Sequence, residues 1–127
     1  MPEKDLFEYA IVRIVPKVER EEFINVGVIV YCAKQKFLQA LFTLNEERLR
    51  AFCTQTDLDE LKEHLNSYNN ICNGTQNAGP IGHLDIASRF RWLTATRSTV
   101  VQSSKVHPGL CDDAMETLTK LHAQLVL

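Results

Sequence analysis

The amino-acid sequence predicts an α+β fold, an antiparallel β-meander of three to four strands covered by three to four helices. Three observations carry that expectation. The segments Phe7–Val15 and Phe23–Cys32 are rich in aromatic and β-branched residues and flank a charged stretch suited to a hairpin loop. Later segments repeat apolar residues every three or four positions, the period of helices buried along one side. The chain has 127 residues, of which 45% are hydrophobic and 24% charged, enough for a single domain with one core.

The first strand stops at Pro16, and Lys17-Val18-Glu19-Arg20-Glu21-Glu22 forms the loop to the second. A hairpin folded symmetrically about Glu19 sets Ile14 opposite Ile24, Val12 opposite Val26 and Ala10 opposite Val28, all on one core face. The other face then pairs Arg13 with Asn25, Ile11 with Gly27 and Tyr9 with Ile29. A glycine inside a strand marks a bulge or the close approach of another group. Either a neighbouring aromatic such as Tyr9 covers Gly27, or a ligand lies over a small polar notch of Arg13 and Asn25. A third strand, Phe37–Thr43, follows the turn Ala33–Lys36 and extends the apolar face with Leu38, Ala40 and Phe42 beside Val30, Val28 and Val26.

Asn45 is placed to cap a short helix that carries Leu49, Phe52 and Cys53 inward. Asp57, followed by Glu60, starts a longer helix whose Leu58, Leu61, Leu65 and Tyr68 share one stripe, and Gly74 is placed to end it. That stripe reads as core. Residues Asn73 to Leu84, with three glycines and a proline, read as a loop. Asp85 caps a helix through Leu93 with Ile86, Phe90 and Leu93 inward, and Thr99–Gln102 is strand-like. The last helix begins at Asp112-Asp113, where acidic groups suit the helix dipole, and carries Met115, Leu118, Leu121 and Leu125.

The formal net charge of -2 argues against indiscriminate binding to nucleic acid or anionic membrane. The N-terminal residues are charged, and the longest apolar stretch, Val26–Cys32, is too short to span a bilayer, so the expectation is a cytoplasmic protein with no membrane contact. Its four cysteines include no CxxC pair and read as reduced, partly buried thiols. No cofactor or metal is expected: the Walker lysine loop, GxGxxG, GxSxG and HExxH are all missing. Cys111 precedes a helix, which lowers a thiol pKa, but Asp112 and Asp113 act the other way, so it makes a poor nucleophile.

The informative stretch is Gly79 to Gly109, where Arg89, Arg91, Arg97 and Lys105 face a single acid, Asp85, with His83, His107, Trp92, Ser98 and Thr99 among them. Positive charge interleaved with aromatic groups suits a phosphate backbone or stacked bases. The blander reading is that these arginines are solvated or paired with acids.

In the order in which they occur, Tyr9–Pro16, Glu22–Val28, Gly79–Gly82, Arg89–Leu93, Arg97–Gln102 and Val106–Asp113 resemble a bacterial family, domain of unknown function 3037. That resemblance assigns no activity, because the family has no established one, and whether the chain is an enzyme stays open, with a non-enzyme favoured. Members of the family are often encoded beside a HipA-like, kinase-fold protein, which implies the small partner of a two-protein module. The leading expectation is a non-catalytic binding or regulatory module with a protein partner, homo-oligomers remaining open. The alternative is a phosphate- or nucleic-acid-binding protein built on residues 89–107. The candidate binding residues are Arg13, Asn25, Arg89, Arg97, Ser98 and His107.

Overall fold

The N-terminal hairpin forms as its aliphatic patterning requires. In the computed structural model, residues 4–15, 23–51, 55–95 and 101–127 are described. The hairpin loop, Phe52, Cys53 and the stretch holding Arg97, Ser98, Thr99 and Val100 therefore lie outside the described residues. Strand β1 (Asp5–Ile14) pairs antiparallel with β2 (Ile24–Cys32), and β2 with β3 (Phe37–Phe42).

The register departs from the symmetric hairpin. Arg13 does oppose Asn25 and Ile14 opposes Ile24, but Val12 opposes Gly27, so Val26 is the extra residue of a β-bulge. From there on the pairing is shifted by one, with Ala10 opposite Ile29 and Tyr9 opposite Val30. Ile24, Val26 and Ile29 join Ala10, Val12 and Ile14 in one core, while Val28, Val30 and Cys32 belong to a second core on the other face. Val28 therefore does not share a face with Ala10 and Val12. Gly27 is the residue that makes the bulge fit. Its neighbour across the β2–β3 ladder is Phe42, and a Cβ at position 27 would run into the Phe42 ring and stand 2.8 Å from the Leu41 carbonyl. The covering aromatic is thus Phe42, not Tyr9.

The sheet has five strands rather than three to four. On the far side of β1 lie both β4 (Val101–Ser103) and β5 (His107–Cys111), each antiparallel to it. They act as one edge strand interrupted at residues 104–106. Ser104 bridges the gap, since its N–H donates to the Ile11 carbonyl (2.8 Å) and its Oγ accepts from the Ile11 N–H (2.8 Å). Strand β5 escaped the sequence reading because it contains Pro108 and Gly109, ordinarily turn residues. Proline is tolerated on an edge strand, and Gly109 lies under the Phe7 ring, where a Cβ would approach within 2.6 Å.

Helices cover both faces. On one lie α1 (Glu46–Arg50), α2 (Gln55–Asn73), the single turn α3 (Gly79–Gly82) and α4 (Ile86–Leu93). Leu49, Leu58, Leu61, Leu65, Phe90 and Leu93 are buried there, as their spacing predicts. Helix α2 starts two residues before Asp57, and the stretch after it is not a bare loop, since it holds a 3₁₀ turn (Gln76–Ala78) as well as α3. Gly74, at φ 65, ends α2 in the left-handed conformation that glycine adopts without penalty. The Asn45 and Asp85 side chains cap α1 and α4.

The opposite face is covered by α5 (Ala114–Leu125), capped by Asp113, with Ala114 and Leu118 fully buried and Met115 turned outward. Gln35, in the β2–β3 turn, latches that helix to the sheet. Its Oε1 accepts from the Ala114 N–H (2.8 Å) and its Nε2 donates to Asp5 (3.0 Å). The continuous apolar run of β2 is explained by burial on both faces.

Candidate functional site

Strand alternation puts Tyr9, Arg13, Asn25 and His107 on the α5 face of the sheet. Helix α5 packs on β2 and β3, so the strip over β1 stays more open, with Tyr9, Ile11 and Arg13 half-buried and His107 exposed. The Asn25 Nδ2 donates to the Leu125 carbonyl at the end of α5 (3.2 Å). Opposite it, the Arg13 guanidinium lies over the Phe23 ring, 4.1 Å from its centre. Arg13 Nε and Asn25 Oδ1 are buried atoms without a hydrogen-bond partner, a donor and an acceptor on adjacent strands. His107 sits at the other end of the strip, its ring tilted against Tyr9 at 5.3 Å between centres. Tyr9 and Arg13 are four residues apart on one strand, which is about 13 Å. The three polar residues share a face without forming one pocket.

Arg89 belongs to the other side of the sheet. Its Nη1 donates to the Leu84 carbonyl (2.7 Å) and lies against Gly74, so it ties the start of α4 to the end of α2. Arg91 is held by Glu8 through two contacts, Nη1 to Oε2 at 2.5 Å and Nη2 to Oε1 at 2.9 Å. That pairing keeps the Arg91 pKa above its ordinary value, chiefly through the hydrogen bond to Glu8. Both arginines are thus engaged with protein groups. Arg97 and Ser98 lie outside the described residues, although Ala95 and Val101 on either side of their stretch are described.

Two of the thiols, Cys72 and Cys111, are poor nucleophiles. Burial pushes the Cys72 thiol up to about 12, and burial likewise raises that of Cys111. Cys111 and His107 lie four residues apart on β5, too far for a catalytic pair. Among the described residues no group of His, Cys, Asp or Glu could hold a metal ion, and no helix is long and apolar enough to cross a membrane.

A concavity lies elsewhere. A cavity of about 470 Å³ opens between α2, α4 and β4. His64, Ser67, Tyr68 and Ile71 of α2 form one wall, Trp92 and Leu93 of α4 another, and residues 101–103 of β4 the third. Its size is that of a small-ligand site.

Over residues 9–126 the sequence matches the family described as a protein of unknown function (DUF3037). The chain is a member of that family. The match runs from within β1 to the end of α5, so the DUF3037 unit includes both helical layers, the interrupted edge strand and the cavity. No curated protein and no solved structure matches the chain.

Sequence reasoning missed the cavity in this DUF3037 chain because it took α2 as one stripe of core. The signal was present. His64, Ser67, Tyr68 and Ile71 stand at i, i+3, i+4 and i+7, so a second, partly polar stripe lies beside Leu58, Leu61 and Leu65.

Proposed function

We propose that this DUF3037 protein is a non-catalytic binding module that docks on a protein partner through the β5 edge of its sheet. One observation carries the reading. Leu6 and Leu110 are cross-strand neighbours on β1 and β5, and both are largely exposed, at 60% and 64%. They point to the side of the sheet covered by α4, but that cover ends at the Arg91–Glu8 ion pair, so the two leucines project beyond it. Pro108, on the same edge, removes a backbone donor and disfavours indiscriminate strand addition. Burying two leucines from this degree of exposure contributes on the order of 2–3 kcal/mol, a useful anchor for an interface.

The HipA-like protein implied by the family resemblance is the first partner to test. Co-expression followed by affinity capture on this chain is expected to retain it, and Leu6→Glu or Leu110→Glu to release it by at least about tenfold. Equal retention by both variants, or none by the wild type, would count against the reading. Binding to an oligonucleotide with steep salt dependence would favour the alternative built on residues 89–107.

A further inference from the structure

We infer that the cavity between α2, α4 and β4 is a binding site for an uncharged, planar heteroaromatic molecule of nucleobase or nucleoside size. The chemistry of its lining points to that class. Its volume of about 470 Å³ is within the range of small-ligand sites, and it opens at the side of the fold where β4 is the last strand of the sheet. The floor is apolar, made by Ile71, Leu93 and Val101. Three flat side chains, His64, Tyr68 and Trp92, contribute to its walls, and Trp92 keeps 38% of its surface exposed. Rings so placed favour a flat ligand, because stacking on an aromatic face is available to any heterocycle.

Among the described residues lining the cavity none is Asp, Glu, Lys or Arg, so the described lining supplies no fixed charge for a phosphate, carboxylate or amine. The polar groups present instead suit the edge of a neutral base. The Ser67 hydroxyl can donate or accept, and the Ser103 hydroxyl, which donates to the Ser104 carbonyl (2.9 Å), can accept. The backbone adds to this. Ser104 bonds Ile11 in both directions, so by the alternation of an antiparallel ladder Gln102 faces β1 and Ser103 turns its N–H and C=O away from it. A donor and an acceptor one residue wide, beside an aromatic wall, match the paired donor and acceptor on a base edge. This site is separate from the Leu6–Leu110 surface, so either can fail without the other.

Trp92 is the chain's one tryptophan, so its fluorescence reports on the cavity directly. The full chain is titrated with adenosine, inosine, cytidine and uridine and with the matching 5′-monophosphates, calorimetry being run alongside. At least one nucleoside is expected to give saturable binding with a change in Trp92 emission, its monophosphate binding no more tightly. Ser67→Phe, which places a ring in the cavity from an exposed helix position, is expected to weaken that binding about tenfold or more with the melting temperature kept. Trp92→Leu, followed by calorimetry, is expected to weaken it similarly. No saturable binding by any nucleoside up to millimolar concentration would overturn the inference. So would binding indifferent to both variants, or a monophosphate preferred by tenfold or more.

Discussion

Gly27→Ala separates two expectations of opposite sign. In a regular strand, replacing an interior glycine by alanine stabilises by about 0.5–1 kcal/mol, because the unfolded chain loses freedom and the strand gains a side chain. Here the new Cβ meets the Phe42 ring and stands 2.8 Å from the Leu41 carbonyl. The carbonyl is part of the β2–β3 ladder, and the Phe42 ring is wedged edge-on against Tyr68 at 5.7 Å between centres, so neither yields readily. Overpacking of this kind costs about 1–3 kcal/mol. The net expectation is a loss of about 1–2 kcal/mol, or about 4–8 °C in Tm for a chain of this length. Urea unfolding at 25 °C, followed through Trp92 emission, measures it as a lower midpoint at unchanged slope. Phe42→Leu provides the control, since with the ring removed the cost of Gly27→Ala is expected to shrink by about 1 kcal/mol. A variant as stable as the parent, or a cost identical in both backgrounds, would refute the bulge geometry.

Further expectations test the rest of the architecture. Leu118→Ala, at a fully buried position of α5, is expected to cost about 2–5 kcal/mol in the same urea assay; a loss under 1 kcal/mol would mean that α5 is not a true second layer. Cys72, whose thiol is raised to about 12, stays protonated in the folded chain, whereas an unfolded thiol ionises near about 8.5. Its contribution to stability is therefore intact below that value and is lost as pH rises towards 12, so Cys72→Ala is expected to flatten the alkaline stability profile, and equal slopes would count against it. Arg91→Ala removes a partly exposed ion pair and is expected to cost no more than about 1 kcal/mol, less at high salt; Arg91→Lys cannot restore the two-point contact with Glu8.

Much of the fold was legible because it rests on local signals. Asn45, Asp85 and Gly74 mark helix ends through their own side chains or lack of one, and Leu58, Leu61, Leu65, Phe90 and Leu93 mark buried faces by their spacing. The opposition of Arg13 and Asn25 was legible too, since it lies next to the loop that sets the register. The candidate site was less so. Arg89 stands in a charge-rich segment, and only the folded chain shows its guanidinium engaged with the Leu84 carbonyl. The cavity depends on α2, α4 and β4 coming together, with His64 and Ser103 nearly forty residues apart in sequence, which no periodicity within one element reports.

The bulge shows why an apolar run can hide its own geometry. From Val26 to Cys32 every residue but Gly27 and Tyr31 is aliphatic or a thiol, so a shift of one position leaves the pattern almost unchanged while exchanging the two faces. The consequence falls on Tyr31. In the symmetric register it would share the α5 face with Tyr9 and Ile29. After the bulge it turns to the other layer and stacks on Phe90, 5.2 Å between ring centres, beside the Arg91–Glu8 pair. That contact sets α4 against the sheet, and α4 carries Trp92 into the cavity wall. A single extra residue at position 26 thus governs which helix meets which strand. The placement of the cavity rests on it as much as on the residues that line it.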